Sequence, residues 1–573
     1  MKQFFCLLCI VCLAGSAAVP AQTSPKQLRS RLPEGDPFVV GSGSTFSASA
    51  PGSSTTITET KAQADRARIL TEFREAQSLI AANYAGSQTP SFEDLTRSAM
   101  TSMLHELDPH SNFYGRSQWK ELLDEQQSGY AGIGSSLAAY SNGNRVDTYI
   151  VSTFDGTPAK RAHLRFGDRI VAVNGVNVEG RSIDDVRDNI RGPIGTTVKL
   201  TIDRAGTSRY ESVDLRRGIV PQPSIPDSYI IKPGIGYIDL SEGFNYTTDS
   251  EFGTALRKLK LQGMRSLLLD LRGNGGGIVD QAVKVAERFL PRGTMIVSQR
   301  GRTPNDYREW VSANPSPETM PLVLLVDENT ASASEIVAGA FQDNDRALIV
   351  GERTFGKGLV QNVIDLPLKT GLTLTAARYY TPSGRSIQRD YSHISRYEYF
   401  SHLTPASEIG DAYFEAKTVT NRRVHGGDGI TPDEKLPATE LTPVQVSLLD
   451  PIFMYAREIA IRSEPPLASA FPNASVLNAE NLTAISTLDE LLPQFAEFAA
   501  AQGYPLRPET LTAENEFIKD RLLHHIATAA FGSVLSLRVL KRTDPQLILA
   551  INTLPKAAVL KDLAAAARSR ARK

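Results

Sequence analysis

Residues 321–343 read "PLVLLVDENTASASEIVAGAFQD". The first half is a continuous apolar run, the pattern of a strand buried on both faces. The second half opens with Ser332-Ala-Ser-Glu335, a capping-box spacing, and continues as a helix. The chain around it repeats the pattern. Residues 234–240 are apolar, 249–262 amphipathic, and "MRSLLLDL" (264–271) is a second continuous apolar run. "IVDQAVKVAERFL" (278–290) has helical spacing, while "RALIVGE" (346–352) and "LTLTAARYY" (372–380) read as further strands. Wholly apolar strands alternating with helices predict an α/β core, a sheet covered by helices on both faces.

The flanks have other textures. Residues 126–206 consist of short strands and glycine- or asparagine-marked turns, with one helical piece, "SIDDVRDNIRG". Two helical patterns lie in 61–125, the second stopped at Asp108-Pro109. From about 437 to 573 strands disappear and the chain reads as helical. No internal repeat is visible. Residues 22–60 are rich in Ser, Thr, Gly and Pro and predict a leader unable to bury much surface.

The chain has 573 residues, 41% hydrophobic and 22% charged, with a formal net charge of -1. That length predicts several domains, and the charge balance points away from a nucleic-acid partner. The first residues, "MKQFFCLLCIVCLAGSAAVPAQ", carry one lysine, an apolar stretch of about a dozen residues and small residues up to Ala21. They predict a signal peptide over 1–21 and an exported, periplasmic or secreted protein, a signal-anchored form being the alternative. All three cysteines lie in that segment, so the mature chain is expected to have no disulfide and no thiolate chemistry.

Two strand ends carry the chemistry. After "MRSLLL" comes Asp270-Leu-Arg-Gly-Asn-Gly-Gly-Gly277, whose backbone N–H groups can approach an anion as readily as they can make a tight turn. It fits neither a dinucleotide fingerprint nor a phosphate loop. Ser332 stands at a helix start, where N–H groups favour developing negative charge, yet a simple cap explains it equally well. No H-E-x-x-H occurs, and none of the eight histidines falls near Ser332 in sequence. The other candidate base is Lys357, in "GERTFGKGLVQ". A lysine accepts a proton only when neutral, and burial disfavours its charge. Phe355, Leu359 and Val360 can supply that dry setting, and Gln361 can orient an amine without pinning it charged.

Together "LDPHS", "DLRGNGGG", "TASASEIVAGAFQD", "GERTFGKGLVQ", "TPSGRSIQ" and "GITPD" closely resemble the tail-specific, carboxy-terminal processing serine peptidases. The resemblance runs from about Asp108 to Leu436. It implies a crotonase-like (ClpP/crotonase-type) αβ peptidase core over 207–436, an inserted PDZ domain over 126–206, an N-terminal helical region and a C-terminal helical region. It implies Ser332 as nucleophile, 25 residues before Lys357 as general base, with Gln361 completing a Ser-Lys-Gln set. The implied oxyanion donors are the backbone N–H groups of Gly276 and Ala333, with Asp343 in a supporting role. Ser334 lies about 200° round the helix from Ser332, so only one can face Lys357, and the family spacing selects Ser332. Gly275 stands where many relatives have proline, and 389–424 is longer than in the shortest members.

The resemblance further implies that Gly132, Ile133 and Gly134 hold a peptide's terminal carboxylate while the following strand pairs with the peptide. Arg191 becomes a candidate gating residue. Protein substrates with exposed, largely apolar C-termini are the implied partners, with no metal or organic cofactor. Helical regions with apolar faces suggest a homodimer, and a regulatory partner protein is a further expectation. Two competing readings are a catalytically silent PDZ-bearing scaffold and a crotonase-type acyl-CoA enzyme, the second fitting poorly with export.

Overall fold

The computed structural model describes residues 56–571 apart from 87–89, 144, 208, 393, 402–414 and 463–487. The signal segment and nearly all of the leader expected before Lys61 lie outside the described residues. The core sheet has six strands, in the order Asp227–Lys232, Ile235–Asp239, Ser266–Asp270, Leu322–Val326, Leu348–Gly351 and Glu434–Lys435. The first pair is antiparallel and the rest are parallel. Side chains alternate between two buried layers, as the apolar runs predicted. Leu267 and Leu269 join the layer packed by helices Thr248–Leu261, Val279–Glu287 and Ala333–Asp343, while Leu268 enters the opposite one.

That opposite layer is supplied from the far end of the chain. Helix Pro545–Ala571 lays Leu547, Ala550, Leu554 and Ala557 on Tyr237, Leu268, Val323 and Val350. Ion pairs reinforce the join: Arg538 with Asp227 at 2.7 Å and Arg272 with Asp544 at 2.7 Å. The C-terminal region therefore completes the core around this sheet and is no mere appendix to it.

A second sheet joins Asn112–Tyr114, Thr370–Tyr380, Met295–Gly301 and Arg308–Val311, with Leu359–Leu366 also paired to the long strand Thr370–Tyr380. Asn112–Tyr114 brings the end of "LDPHS" into the core, so the N-terminal region is more than two helices. Helix Thr56–Asn83 keeps Ile69, Phe73, Leu79 and Ile80 exposed.

Residues 135–216 form the strand-rich module. Five strands pair antiparallel in the order Ser135–Ser141, Val146–Thr153, Arg169–Val173, Thr197–Asp203, Glu211–Arg216, with helix Ile183–Ile190 against them. The sheet thus runs past Gly206. A ribbon of Gly129–Gly132 and Gly218–Pro221 connects it to the core. Ser135–Ser141 is an edge strand, so one side of its backbone ladder is open within this sheet.

Along Val146–Thr153 both faces of this small sheet are buried, whereas Thr197–Asp203 and Glu211–Arg216 leave alternate residues exposed. Ile150 and Ile170 fill its inner core. On the outer face Ala138, Tyr140, Tyr149 and Val151 meet Phe453 and Met454 of helix Pro443–Arg462. Tyr140 and Phe453 stack at 3.7 Å. Helix Asn515–Phe531 adds His525, its ring 5.5 Å from that of Phe453 and 6.0 Å from that of Phe166. Burial holds His524 down at about 4 and His525 well below its usual 6.5. The unfolded chain takes up these protons near pH 6.5 while the folded one refuses them, so stability falls as pH drops from about 6.5 towards 4. Denaturant unfolding at pH 7.5 and pH 5 is expected to show a loss of roughly 2 kcal/mol for His524 alone.

Candidate active site

The parallel sheet brings the ends of strands Ser266–Asp270, Leu322–Val326 and Leu348–Gly351 side by side, and the loops that follow them meet. Asp327 shapes two of these loops. Its carboxylate accepts Gly273 N–H at 2.9 Å, Thr330 N–H at 2.9 Å and Asn329 N–H at 3.1 Å. Burial pushes the Asp327 carboxyl above its ordinary range, against the pull of those donors.

Asn274 shapes the glycine loop. Its Nδ2 donates to Leu240 O at 2.6 Å, and its Oδ1 accepts Gly276 N–H at 2.9 Å and Ser334 Oγ–H at 2.7 Å. Ala331 N–H donates to Asn274 O at 2.9 Å, which lashes the glycine loop to the start of the serine helix. Gly276 has φ +106, and a Cβ built there would lie 2.7 Å from the Cβ of Ser332. No side chain fits between them, so glycine is required by contact as well as by φ.

These bonds separate the two serines. Ser334 is tied to Asn274, whereas Ser332 Oγ is buried and makes no hydrogen bond. Ser332 has the approach of a capping box, and its reciprocal half meets hydrogen-bond geometry: Ser332 N–H donates to Glu335 Oε2 at 2.9 Å. Ser332 also has φ 55 and ψ -115, a conformation that non-glycine residues rarely adopt and that clusters at functional sites. Ala333 is the first helical residue, so its N–H has no acceptor within the helix.

Glu335 is the residue that sequence reasoning undervalued, treating it only as a capping partner. Fully buried, it also accepts Gly356 N–H and Lys357 N–H, each at 2.8 Å, and the Thr354 hydroxyl. One carboxylate thereby clamps the serine helix to the lysine loop. Burial raises its carboxyl above the usual range while those four donors pull the other way. The signal was its place three residues after a helix-start serine, which reads the same for an ordinary cap.

Lys357 is buried, 1% exposed, and flanked by Leu359 and Val360 at 0% and 3%, the dry setting expected of it. Gln361, in strand Leu359–Leu366, is equally buried, with its Nε2 lacking a partner.

Two expected roles, those of Gly276 and Asp343, meet a different geometry. Gly276 N–H is turned into its own loop, onto Asn274, and does not stand open beside Ser332. Asp343 sits at the far end of the eleven-residue serine helix, where it pairs with buried Arg385 at 2.7 Å and accepts Ser383 Oγ–H at 2.6 Å. It fixes the "TPSGR" turn, and the helix length separates it from Ser332. Arg191 caps helix Ile183–Ile190, lies 3.7 Å from Glu121 and covers the Tyr130 ring at 5.5 Å. Both partners lie outside the small module, Glu121 in helix Arg116–Gln126 and Tyr130 in ribbon strand Gly129–Gly132.

In that module Gly132 pairs with Gly218, and Ile133 is buried with its carbonyl accepting Ala159 N–H at 2.7 Å. Gly134 has φ +79, and a Cβ there would collide with Thr157 at 2.3 Å. The three residues turn the chain directly into edge strand Ser135–Ser141.

Comparison with known proteins agrees with this architecture. Residues 234–394 match peptidase family S41, and residues 151–204 match a PDZ domain. A carboxy-terminal-processing protease of Bartonella bacilliformis is 37% identical over 304 residues, covering 52% of this chain and 68% of that protein. A carboxyl-terminal-processing protease of a Synechocystis species is 36% identical over 301 residues, covering 51% and 69%. Among solved structures, a photosystem II D1 C-terminal processing protease matches with 30% identity and a TM-score of 0.34, covering 64% of this chain and 86% of that one. The two family matches, and relatives at 37% and 36% identity matched over two thirds of their own length, place the chain in peptidase family S41, among the carboxy-terminal-processing proteases.

Proposed function

We propose that the protein is an exported serine endopeptidase that captures the C-terminus of a protein substrate in its PDZ module and cuts the chain upstream. The captured tail adds a strand to the open edge of Ser135–Ser141, with its carboxylate at Gly132, Ile133 and Gly134. Ser332 Oγ attacks the scissile carbonyl carbon while the Lys357 amine takes the hydroxyl proton. Gln361 orients that amine. Lys357 returns the proton to the departing amine nitrogen as the C–N bond breaks, leaving an ester on Ser332. Water, deprotonated by the same amine, then hydrolyses the ester. Ala333 N–H and Gly276 N–H stabilise the oxyanion, Gly276 after exchanging its bond to Asn274 for one to substrate. Catalytic hydrogen bonds commonly tighten only when substrate binds.

The observation that supports this reading most is the buried clamp of Glu335, which binds the backbone of both Ser332 and Lys357. Its test compares one unfolded substrate with a free and an amidated apolar C-terminus. Amidation is expected to raise KM at least tenfold by removing the charge that the carboxylate loop holds. Equal cleavage of the two would sink the capture step. The inward Gly276 N–H favours a second reading, a catalytically silent PDZ scaffold, which predicts tail binding with no cleavage.

A further inference from the structure

The stretch "LDPHS" has no part in the chemistry set out above, yet the fold carries it to the lysine loop. Asp108 turns it inward: its Oδ1 accepts His110 N–H and Ser111 N–H, each at 2.8 Å, and its Oδ2 accepts Ser111 Oγ–H at 2.6 Å. His110 is then 2% exposed, with its ring 6.1 Å from that of Phe355 and 5.3 Å from that of Tyr399. Its Nε2 lies 2.9 Å from the Tyr399 hydroxyl. Gln388 Nε2 donates to the same hydroxyl at 3.1 Å. Gln388 Oε1 in turn accepts the N–H of Gly358 at 2.8 Å, the residue next to Lys357. Arg389 N–H holds Gly356 O at 2.8 Å on the other side of the lysine.

We propose that His110 is a positioning residue for Lys357, acting through the Tyr399 hydroxyl and the Gln388 amide on the backbone of Gly358. Glu335 fixes the lysine loop from the serine side, at Gly356 and Lys357 N–H. The His110 chain fixes it from the opposite side, so the loop is gripped at three successive residues. A buried chain of polar groups holds a geometry only while every member is bonded. Phenylalanine at 110 or 399 would fill the same space, so packing alone does not require the polar atoms. The hydrogen bond between His110 Nε2 and the Tyr399 hydroxyl takes its direction from the imidazole tautomer, and the chain is closed in either one. The inference rests on the peptidase reading.

The test measures kcat and KM of the mature chain carrying His110→Phe, Tyr399→Phe, both together, or His110→Gln, with Ser332→Ala as reference. Each single Phe variant is expected to lose about tenfold in kcat, the worth of one buried hydrogen bond, with KM within about twofold of the parent. The double variant should lose no more than either single, because both break one chain. His110→Gln, which sets an amide where Nε2 stood, should regain most of the loss. Unchanged kcat, losses that multiply, or a change confined to KM would overturn the proposal. Should His110→Phe fail to fold, Tyr399→Phe, which deletes a single oxygen, carries the same expectation alone. Cleavage persisting in Ser332→Ala would instead refute the peptidase reading, and the two failures are therefore distinct.

Discussion

Replacing Lys357 by alanine is expected to lower kcat by roughly 10⁴-fold or more while leaving substrate capture nearly intact. Ser332→Ala should match it, and the double variant should be no worse, since nucleophile and base act as one unit. The reason lies in where the two residues stand. Both are buried at the ends of neighbouring parallel strands, and Ser332 Oγ has no other hydrogen-bonding duty. An alanine at 357 removes the amine without adding a steric burden. Steady-state cleavage of an unfolded, tailed substrate measures the loss, and binding of a short C-terminal peptide measures capture separately. Parent-like turnover by either variant would contradict the assignment.

Glu335→Ala is expected to be nearly as damaging, and for a different reason. It leaves Ser332 N–H, Gly356 N–H, Lys357 N–H and the Thr354 hydroxyl without their acceptor in a fully buried site. Each unsatisfied buried donor costs about 1–3 kcal/mol, so even with relaxation the local loss reaches about 3–5 kcal/mol. Activity should fall to background, because the serine helix and the lysine loop lose their common anchor. Glu335→Gln retains the shape and one acceptor oxygen, so it should unfold later in denaturant than Glu335→Ala and keep measurable turnover. If Glu335→Ala unfolds like the parent and still cleaves, the clamp has no role in holding the site.

The α/β core was legible because its strands are buried on both faces. A run such as Leu322–Val326 is too uniformly apolar for a loop or a half-exposed strand and too short for a helix, and its helix partners show the usual spacing. The family motifs then marked Ser332, Lys357 and Gln361. The outcome for Gly276 and Asp343 was not legible, because sequence spacing does not tell which way a loop N–H turns or which end of a helix faces the chemistry. The family spacing chose Ser332 over Ser334, and the side-chain bonds of Asn274 give a physical difference between the two that the sequence did not contain. The second buried layer was expected, but its source was not legible, because it comes from Pro545–Ala571, far along the chain from the strands it covers. The clasp on the PDZ module's outer face left no such sign: Val146–Thr153 is buried along most of its length, yet its sequence mixes Asp147, Thr148, Ser152 and Thr153 with apolar residues.

The most direct test of the central claim is the mass of the chain itself. A reaction of the protein with excess tailed substrate, quenched in acid within the first turnover, should show a covalent adduct of the substrate's N-terminal fragment. Peptide mapping should place that ester on Ser332, and Ser332→Ala should lack it while Ser334→Ala retains it. Cleavage proceeding with no adduct in the parent and undiminished in Ser332→Ala would contradict the account.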